Sequence, residues 1–107
     1  MISNERLTKA LTYLAETDEE CARRLGYYRG MEDQTKTIYA QCFNESMGST
    51  IKQMEMHAYT DPNYIKHIDK INEARVEYET MRLKRKTEET IVEVWRSMNA
   101  NRRVGNI

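Results

Sequence analysis

The stretch TDPNYIKHIDKINEARVEYETM, residues 60–81, decides the fold of this chain. Asp61 can cap a helix, and Pro62 suits the first helical position, where its missing N–H group needs no partner. Because the residue before a proline is pushed out of helical geometry, one helix must end here and another must begin. The new helix has one apolar face: Tyr64, Ile68, Ile71, Tyr78 and Met81. The pattern predicts a helix from Pro62 to about Asn101.

The N-terminal segment predicts a short first helix. Its apolar residues recur one turn apart from Leu7 onwards. It is expected to end near Glu16, because Thr17 and Glu20 form a capping-box pattern that begins a new helix.

A second helix is predicted from about Asp18 to about Met47. Its inner stripe has spacing typical of a coiled coil: Cys21, Leu25, Tyr28, Thr35, Tyr39 and Cys42. Glu32 breaks this series. Gly26 and Gly30 lie four residues apart inside the stripe, and either a close helix crossing or two poor helix residues would explain them. Gly48 is expected to end this helix as a C-terminal cap, and Ser49 is expected to be the N-cap of a short third helix, residues 50–59.

The helix that starts at Pro62 is too long to be stable alone, and the second helix is available as its antiparallel neighbour. The fold class predicted is therefore all-α. We expect an elongated antiparallel helical hairpin of two long helices, with a short N-terminal helix and a short helix at the turn. Residues 1–107 are predicted to form a single helical domain, with a flexible C-terminal tail from about residue 100 to 107.

Composition narrows the classes of function. Hydrophobic residues make up 39% of the chain and charged residues 32%, with 17 basic residues against 17 acidic ones. The zero net charge argues against wholesale binding of polyanions. A chain of 107 residues buries little core by itself, so a second copy would cover tyrosines and methionines left open, and a homodimer is expected.

The chain also carries signals about its compartment. No apolar run approaches the about 20 residues that span a bilayer, and the N-terminal residues do not resemble a signal peptide. Cys21 and Cys42 are two lone cysteines, which is typical of reduced thiols in the cytoplasm. A cytoplasmic protein without membrane contact is expected.

Catalytic and metal-binding signatures are missing from the sequence. The two histidines, His57 and His67, flank the proline junction, and no zinc, nucleophile-elbow or phosphate-loop motif occurs. In a hairpin, Cys42 and His57 would both lie near the turn, where a dyad or metal site is one alternative. Two buried small thiols and two surface imidazoles are the favoured interpretation. The prediction is a non-enzyme without cofactor or metal.

A basic cluster lies in the middle of the last helix: Arg82, Lys84, Arg85 and Lys86. Together with the arginines near the C-terminus it could bind the phosphates of a nucleic acid. Glutamates precede and follow it, however, and such mixing favours a solvated helix face with pairs such as Lys84–Glu88 and Arg85–Glu89.

The last fifteen residues, EVWRSMNANRRVGNI, residues 93–107, offer a second candidate site. The only tryptophan, Trp95, continues the apolar stripe of Ile91 and Val92, so its ring should pack inward. One interpretation is a frayed helix end. The other is a docking element for a protein partner: Trp95 as anchor, with Arg96, Arg102, Arg103 and Ile107 as the recognition end.

Two segments, LTKALTYLAETDEECARR and VEYETMRLKRKTEETIVEVWRSMNANRRVGNI, resemble a family of small, largely uncharacterised bacteriophage proteins. Members are short helical proteins, often encoded among phage replication and recombination genes. The resemblance implies a phage or prophage origin, a location in the host bacterial cytoplasm, and an accessory role beside single-strand annealing or DNA-binding proteins. It brings no catalytic or ligand residues.

The leading hypothesis is a non-enzymatic adaptor that binds a protein of phage or host DNA replication, recombination or repair. One specific partner class is an acidic tail with an apolar tip, of the kind that ends single-strand DNA-binding proteins, because its charge complements a basic patch near Trp95. The alternatives are direct nucleic-acid binding through the basic cluster and the arginine tail, and inhibition of a host defence or repair enzyme.

Overall fold

The structure is a computed structural model, and it describes residues 1–105 of the chain. Four α-helices follow one another along the chain: α1 (Asn4–Asp33), α2 (Thr35–Asn44), α3 (Ile51–Thr60) and α4 (Pro62–Gly105). No residue of the described range lies in a β-strand, so the predicted all-α class is confirmed. Within the same range, no helix has the length and apolar character required to cross a membrane.

The proline junction forms as the sequence predicts. The backbone leaves helical geometry at Asp61, whose φ is −63° and ψ is 129°. The Asp61 carboxylate accepts a hydrogen bond from the Asn63 backbone N–H at 2.8 Å, and its carbonyl accepts one from Ile65 at 3.0 Å. Asp61 therefore stabilises the first turn of α4, which begins at Pro62.

The predicted break at Thr17 is wrong, because α1 continues without interruption from Asn4 to Asp33. The Thr17 hydroxyl donates to the carbonyl of Tyr13 at 2.7 Å, one turn earlier in the same helix. It also accepts a hydrogen bond from Arg85 at 2.6 Å. A threonine whose hydroxyl bonds the carbonyl one turn earlier is compatible with the middle of a helix, and the Arg85 guanidinium takes the place of the backbone N–H that a capping oxygen would accept from.

The second predicted helix is divided differently in the structure. Its first half belongs to α1, and a single residue, Gln34, separates α1 from α2. Gln34 keeps helical backbone angles, and its N–H group still bonds the Gly30 carbonyl at 3.3 Å. The interruption is therefore slight, and α2 ends at Asn44 rather than near Met47.

The start of α3 is capped one residue later than the sequence predicts. Thr50, and not Ser49, has extended backbone angles, and its hydroxyl oxygen accepts a hydrogen bond from the Gln53 N–H at 3.1 Å. The Gln53 side-chain oxygen reaches back to the Ser49 N–H at 3.0 Å. These two bonds satisfy backbone donors at the helix start, as a capping box does.

The chain groups into two compact units, and each of α1 and α4 contributes to both. Unit one contains residues 1–22 and the described part of 79–107, and its buried apolar residues are Ala10 and Val92. Its contacts pair Arg6 with Glu88 and Asp18 with Arg85, so the α1 and α4 segments run in opposite directions there. That the whole chain is a single domain stays a prediction.

Unit two contains residues 23–78 and buries Cys42, Ala58, Ala74 and His67. Four aromatic rings pack against one another in it, in a cluster of Tyr39, Phe43, Tyr59 and Tyr64. The Tyr39 and Tyr59 ring centroids lie 5.0 Å apart, and those of Tyr59 and Tyr64 lie 5.6 Å apart at nearly a right angle. Burial raises the pKa of Tyr39 above its ordinary value, and the neighbouring Tyr59 hydroxyl and Glu55 carboxylate raise it further. The rings contact one another in tilted and edge-to-face arrangements that are usual for packed aromatic side chains, and Tyr59, 58% exposed, lies at the edge of the cluster.

The end of α4 corrects the predicted tail. The helix extends to Gly105 instead of ending near Asn101, so residues 100–105, predicted to be flexible, are helical. Residues 106 and 107 lie outside the described part of the chain. Arg102 and Arg103 stand in the last turn of α4, where positive charge complements the negative end of the helix dipole.

Two glycines in different surroundings give a stability test. A Cβ atom at Gly48 would lie 2.9 Å from the Met54 backbone nitrogen, so Gly48→Ala is expected to lower the free energy of unfolding by about 1–2 kcal/mol. A Cβ atom at Gly26 would meet nothing within 4 Å, which removes the close helix crossing as its explanation. Gly26→Ala is therefore expected to raise the free energy of unfolding by about 1 kcal/mol. Urea denaturation followed by circular dichroism measures both, and equal effects of the two changes would contradict the packing at Gly48.

Candidate functional site

A cavity of about 360 Å³ lies in unit one, between the start of the chain and the last turns of α4. Its lining combines apolar side chains with amide, hydroxyl and guanidinium groups: Met1, Ile2, Ser3, Asn4, Trp95, Met98, Asn99 and Arg102. We call it the Trp95 pocket. Trp95 and Arg102 were both predicted as partner-binding residues, and the structure brings them to one cavity.

The apolar part of the Trp95 pocket is built by α4. Trp95 and Met98 are three residues apart on the helix and both are half-buried, so they share the face turned towards the N-terminal residues. The inward packing of Trp95 is the orientation that its position in the apolar stripe predicts. Ile2, also half-buried, lines the same cavity.

The polar part of the pocket is carried by Arg102. Its guanidinium lies 3.5 Å from the sulfur of Met1, a weak acceptor, and within residues 1–105 it has no carboxylate partner. A guanidinium in this state keeps most of its hydrogen-bonding capacity for another group. The pocket can therefore bind an apolar side chain and a carboxylate together.

The other predicted members of the recognition end are placed differently. Arg96 and Arg103 are exposed on α4 and do not line the Trp95 pocket. Ile107 lies outside the described residues. The N-terminal residues of the pocket, Met1 to Asn4, are not predicted from the sequence, because only the packing of α1 on α4 brings them to Trp95. Ile2, an apolar residue before the first helix, is the one feature of the sequence that could have indicated these N-terminal residues.

The basic cluster predicted to bind nucleic acid is divided by the structure. The Arg85 guanidinium points into unit one, where it donates to the Leu14 carbonyl at 2.8 Å, the Thr17 hydroxyl at 2.6 Å and the Asp18 carboxylate at 2.5 Å. Arg82 donates to the Glu79 carboxylate at 2.6 Å. Lys84 and Lys86 remain exposed, so four neighbouring charges do not face solvent as one patch.

The pairs predicted for this helix face are wrong. Glu88 bonds Arg6 across the two helices at 2.8 Å, and not Lys84. Arg85 pairs with Asp18, and not with Glu89. In both cases a partner on α1 replaces the neighbour one turn away, because a part-buried pair between helices is screened less by water than an exposed one on a single helix.

A second cavity, of about 420 Å³, lies in unit two and contains both Cys42 and His67 in its lining. Burial is the main cause that raises the pKa of the Cys42 thiol, and the nearby Asp61 carboxylate raises it further. The thiol is therefore protonated near neutral pH and is a poor nucleophile. The His67 ring is held by the Thr35 hydroxyl, 3.1 Å from Nε2.

The predicted alternative of a Cys42–His57 site gains no support. His57 is exposed, and its Nδ1 lies 2.9 Å from the Ser46 hydroxyl in a hydrogen bond. In the described part of the chain, no group of three or more histidine, cysteine or acidic side chains is placed to hold a metal ion.

Comparison of the chain with protein-family models, with curated proteins and with solved structures finds no match. The Trp95 pocket, where a tryptophan lies with an arginine that has no carboxylate partner among residues 1–105, is therefore the feature on which a function can be argued.

Proposed function

We propose that the protein is a non-enzymatic adaptor, built on an elongated antiparallel helical hairpin, that binds a partner protein at the Trp95 pocket. The observation that carries this proposal is the meeting of Trp95 with the Arg102 guanidinium in one cavity. Tryptophan and arginine are the residue types that dominate the energy of protein interfaces.

The chemistry of the pocket favours a short peptide segment that ends in an apolar residue. Its terminal side chain would pack on Trp95 and Met98, and its carboxylate would accept hydrogen bonds from Arg102. A further acidic residue in the segment would meet the exposed Arg103 on the same helix. The acidic, apolar-tipped tails of single-strand DNA-binding proteins have this chemistry.

The biological setting of the proposal comes from the resemblance to small phage proteins. It implies an accessory role in phage or host DNA replication, recombination or repair, in the host cytoplasm. Inhibition of a host enzyme would use the same pocket. Direct nucleic-acid binding is the weaker alternative, because Arg85 and Arg82 already bond groups of their own chain.

Trp95 is the only tryptophan, so its fluorescence reports on the pocket directly. We expect a peptide of several acidic residues with a C-terminal apolar residue and a free carboxylate to change this emission saturably. The same peptide with an amidated C-terminus is expected to bind at least about tenfold more weakly, because the Arg102 guanidinium loses its charged acceptor.

Arg102→Ala should weaken binding of the free-acid peptide by a similar factor, and Arg103→Ala should change it far less. Binding that is equal for both peptides, or lost equally in both variants, would exclude the proposed role of Arg102. A steep loss of binding with salt that is the same for any polyanion would favour the nucleic-acid alternative.

A further inference from the structure

The face of α4 that points away from α1 in unit one carries a row without charged residues. Eight positions alternate by three and four residues along it: Thr80, Leu83, Thr87, Thr90, Val94, Ser97, Asn101 and Val104. We call this set the outer row. All eight are exposed, and the side chains of Leu83 and Val94 are 54% and 42% exposed. Spacing of three and four residues is the pattern of a seam between two helices.

The outer row is separate from the face that α4 already uses. Glu88 and Val92 face α1, as shown by the ion pair of Glu88 with Arg6 and by the burial of Val92. From the geometry of an α-helix, the centre of the outer row lies about 150° around α4 from that face. A second helix can therefore pack on the outer row without displacing α1.

The threonines at the centre of the row are prepared for apolar contact. The Thr87 hydroxyl donates to the Leu83 carbonyl at 3.1 Å, and the Thr90 hydroxyl donates to the Lys86 carbonyl at 3.0 Å. Because both hydroxyls bond within their own helix, these residues require no polar partner when water is removed from them. Their methyl groups add to the apolar surface of Leu83 and Val94.

The core of the described chain is small. Among residues 1–105 no large side chain is fully buried, and the buried apolar residues of unit one are Ala10 and Val92. A standard interface buries about 800 Å² on each partner, so a contact along the outer row would add apolar burial that unit one lacks by itself.

We propose that the outer row joins two copies of this chain into an antiparallel dimer, α4 against α4. The match of the row to itself argues for a second copy. With the two-fold axis beside residues 88 and 89, Leu83 of each copy meets Val94 of the other, and Thr87 meets Thr90.

The charges beside the row select the antiparallel direction. In this register Lys86 of each copy lies next to Glu93 of the other, which gives two attractive pairs. Neither side chain has an ion pair within residues 1–105, so both are available. If the two α4 helices were parallel, the attraction would depend on Glu79 of one copy meeting Lys84 of the other. Glu79 already bonds Arg82 of its own helix at 2.6 Å. An isologous, antiparallel contact also closes on itself and stops at two copies.

Light scattering after size exclusion, run on the full chain over a range of concentrations, tests the proposal. The expected mass is about 25 kDa, twice that of the 12.7 kDa chain. L83E/V94E places two glutamates opposite each other at the Leu83–Val94 contact, and the two-fold axis repeats this contact, so four charges enter the interface. It should raise the dissociation constant at least about thirtyfold. Both residues are exposed, so circular dichroism should show the helix content of the unaltered chain.

I51E/M56E is the matched control, because these side chains are more exposed, at 71% and 61%, and lie on α3. It should leave the dimer intact. A chain that stays monomeric at every concentration overturns the proposal, and so does a dimer that survives L83E/V94E or dissociates only in the control.

The direction of the two helices is tested by a charge swap. K86E and E93K should each weaken the dimer, and the double variant K86E/E93K should restore it. Failure of the double variant to restore the dimer overturns the antiparallel register. None of these residues lines the Trp95 pocket, so the outcome is independent of the proposed adaptor function.

Discussion

Replacing Arg85 with alanine is expected to lower the free energy of unfolding by about 2–3 kcal/mol, because hydrogen bonds to charged groups contribute this much when they are shielded. The Arg85 side chain is only 16% exposed, and its guanidinium bonds three groups on α1. These bonds join the middle of α1 to α4 within unit one. Without it, the Thr17 hydroxyl loses a donor in a part-buried position and the Asp18 carboxylate loses its cation.

The geometry of the Arg85 contact separates it from a simple charge effect. Arg85→Lys keeps the charge but has no planar fork, and it cannot reach the Leu14 carbonyl and the Asp18 carboxylate together. We therefore expect Arg85→Lys to recover less than half of the loss. Lys84→Ala, one residue away and exposed, is the matched control and should change stability by less than about 0.5 kcal/mol.

Urea denaturation followed by circular dichroism measures all three variants. Equal stability of Arg85→Ala and Lys84→Ala would mean that the guanidinium contact is absent in solution. The result also decides how nucleic-acid binding should be tested. A change of all four cluster residues to glutamine would confound loss of charge with loss of fold, so Lys84 and Lys86 alone should be replaced.

The sequence predicts the helices best where local chemistry and tertiary packing agree. At Asp61 and Pro62 the cap, the missing N–H group and the preceding backbone all require a helix boundary, and no distant contact opposes it. At Thr17 the same kind of local signal fails. The hydroxyl has two alternatives to capping, the Tyr13 carbonyl and the Arg85 guanidinium, and the second comes from a residue 68 positions away. Local patterns do not contain that contact.

The candidate site divides in the same way. Trp95 and Arg102 could be predicted, because an isolated tryptophan on an apolar stripe and a nearby arginine are visible in the sequence. The N-terminal half of the pocket could not, because its residues reach Trp95 only through the packing of α1 on α4. The glutamate that pairs with Arg6 was expected to bond Lys84, one turn away, since spacing alone does not show which helix face is buried.

Replacing Arg6 with alanine should be the most damaging single change on α1, because it leaves a shielded charge without its partner. The Arg6 guanidinium donates to Glu88 Oε1 at 2.8 Å, and the Glu88 side chain is only 19% exposed. The other oxygen, Oε2, is buried and has no hydrogen-bond partner in the described structure. Arg6 is therefore the group that stabilises the half-buried Glu88 carboxylate.

The unaltered pair has a defined pH dependence. The hydrogen bond from Arg6, and to a lesser extent its charge, lower the pKa of Glu88, although burial opposes them. A carboxyl group with a lowered pKa in the folded state contributes stability above its unfolded pKa of about 4.3, and this contribution is lost as the pH falls through the folded value. Glu88→Gln should remove this part of the acid sensitivity.

Arg6→Ala should reverse the sign. Burial, which raises the pKa of Glu88, then acts without opposition, so the folded protein binds the proton more tightly than the unfolded chain. The loss of stability should be largest near pH 7, where the thermal midpoint should fall by several degrees. It should shrink as the pH falls and Glu88 becomes neutral. Thermal denaturation of the unaltered chain, Arg6→Ala and Arg6→Ala/Glu88→Gln between pH 4 and pH 8 measures this dependence.

The double variant should be more stable than Arg6→Ala near pH 7, because a neutral amide replaces the unpaired charge. Lys9→Ala, which removes an exposed cation from Glu5 on the same helix, is the control and should show no such reversal. If the effect of Arg6→Ala were the same at pH 4 and pH 7, Glu88 would be solvated in the variant, and its burial would depend on the arginine rather than on the packing of α1 against α4.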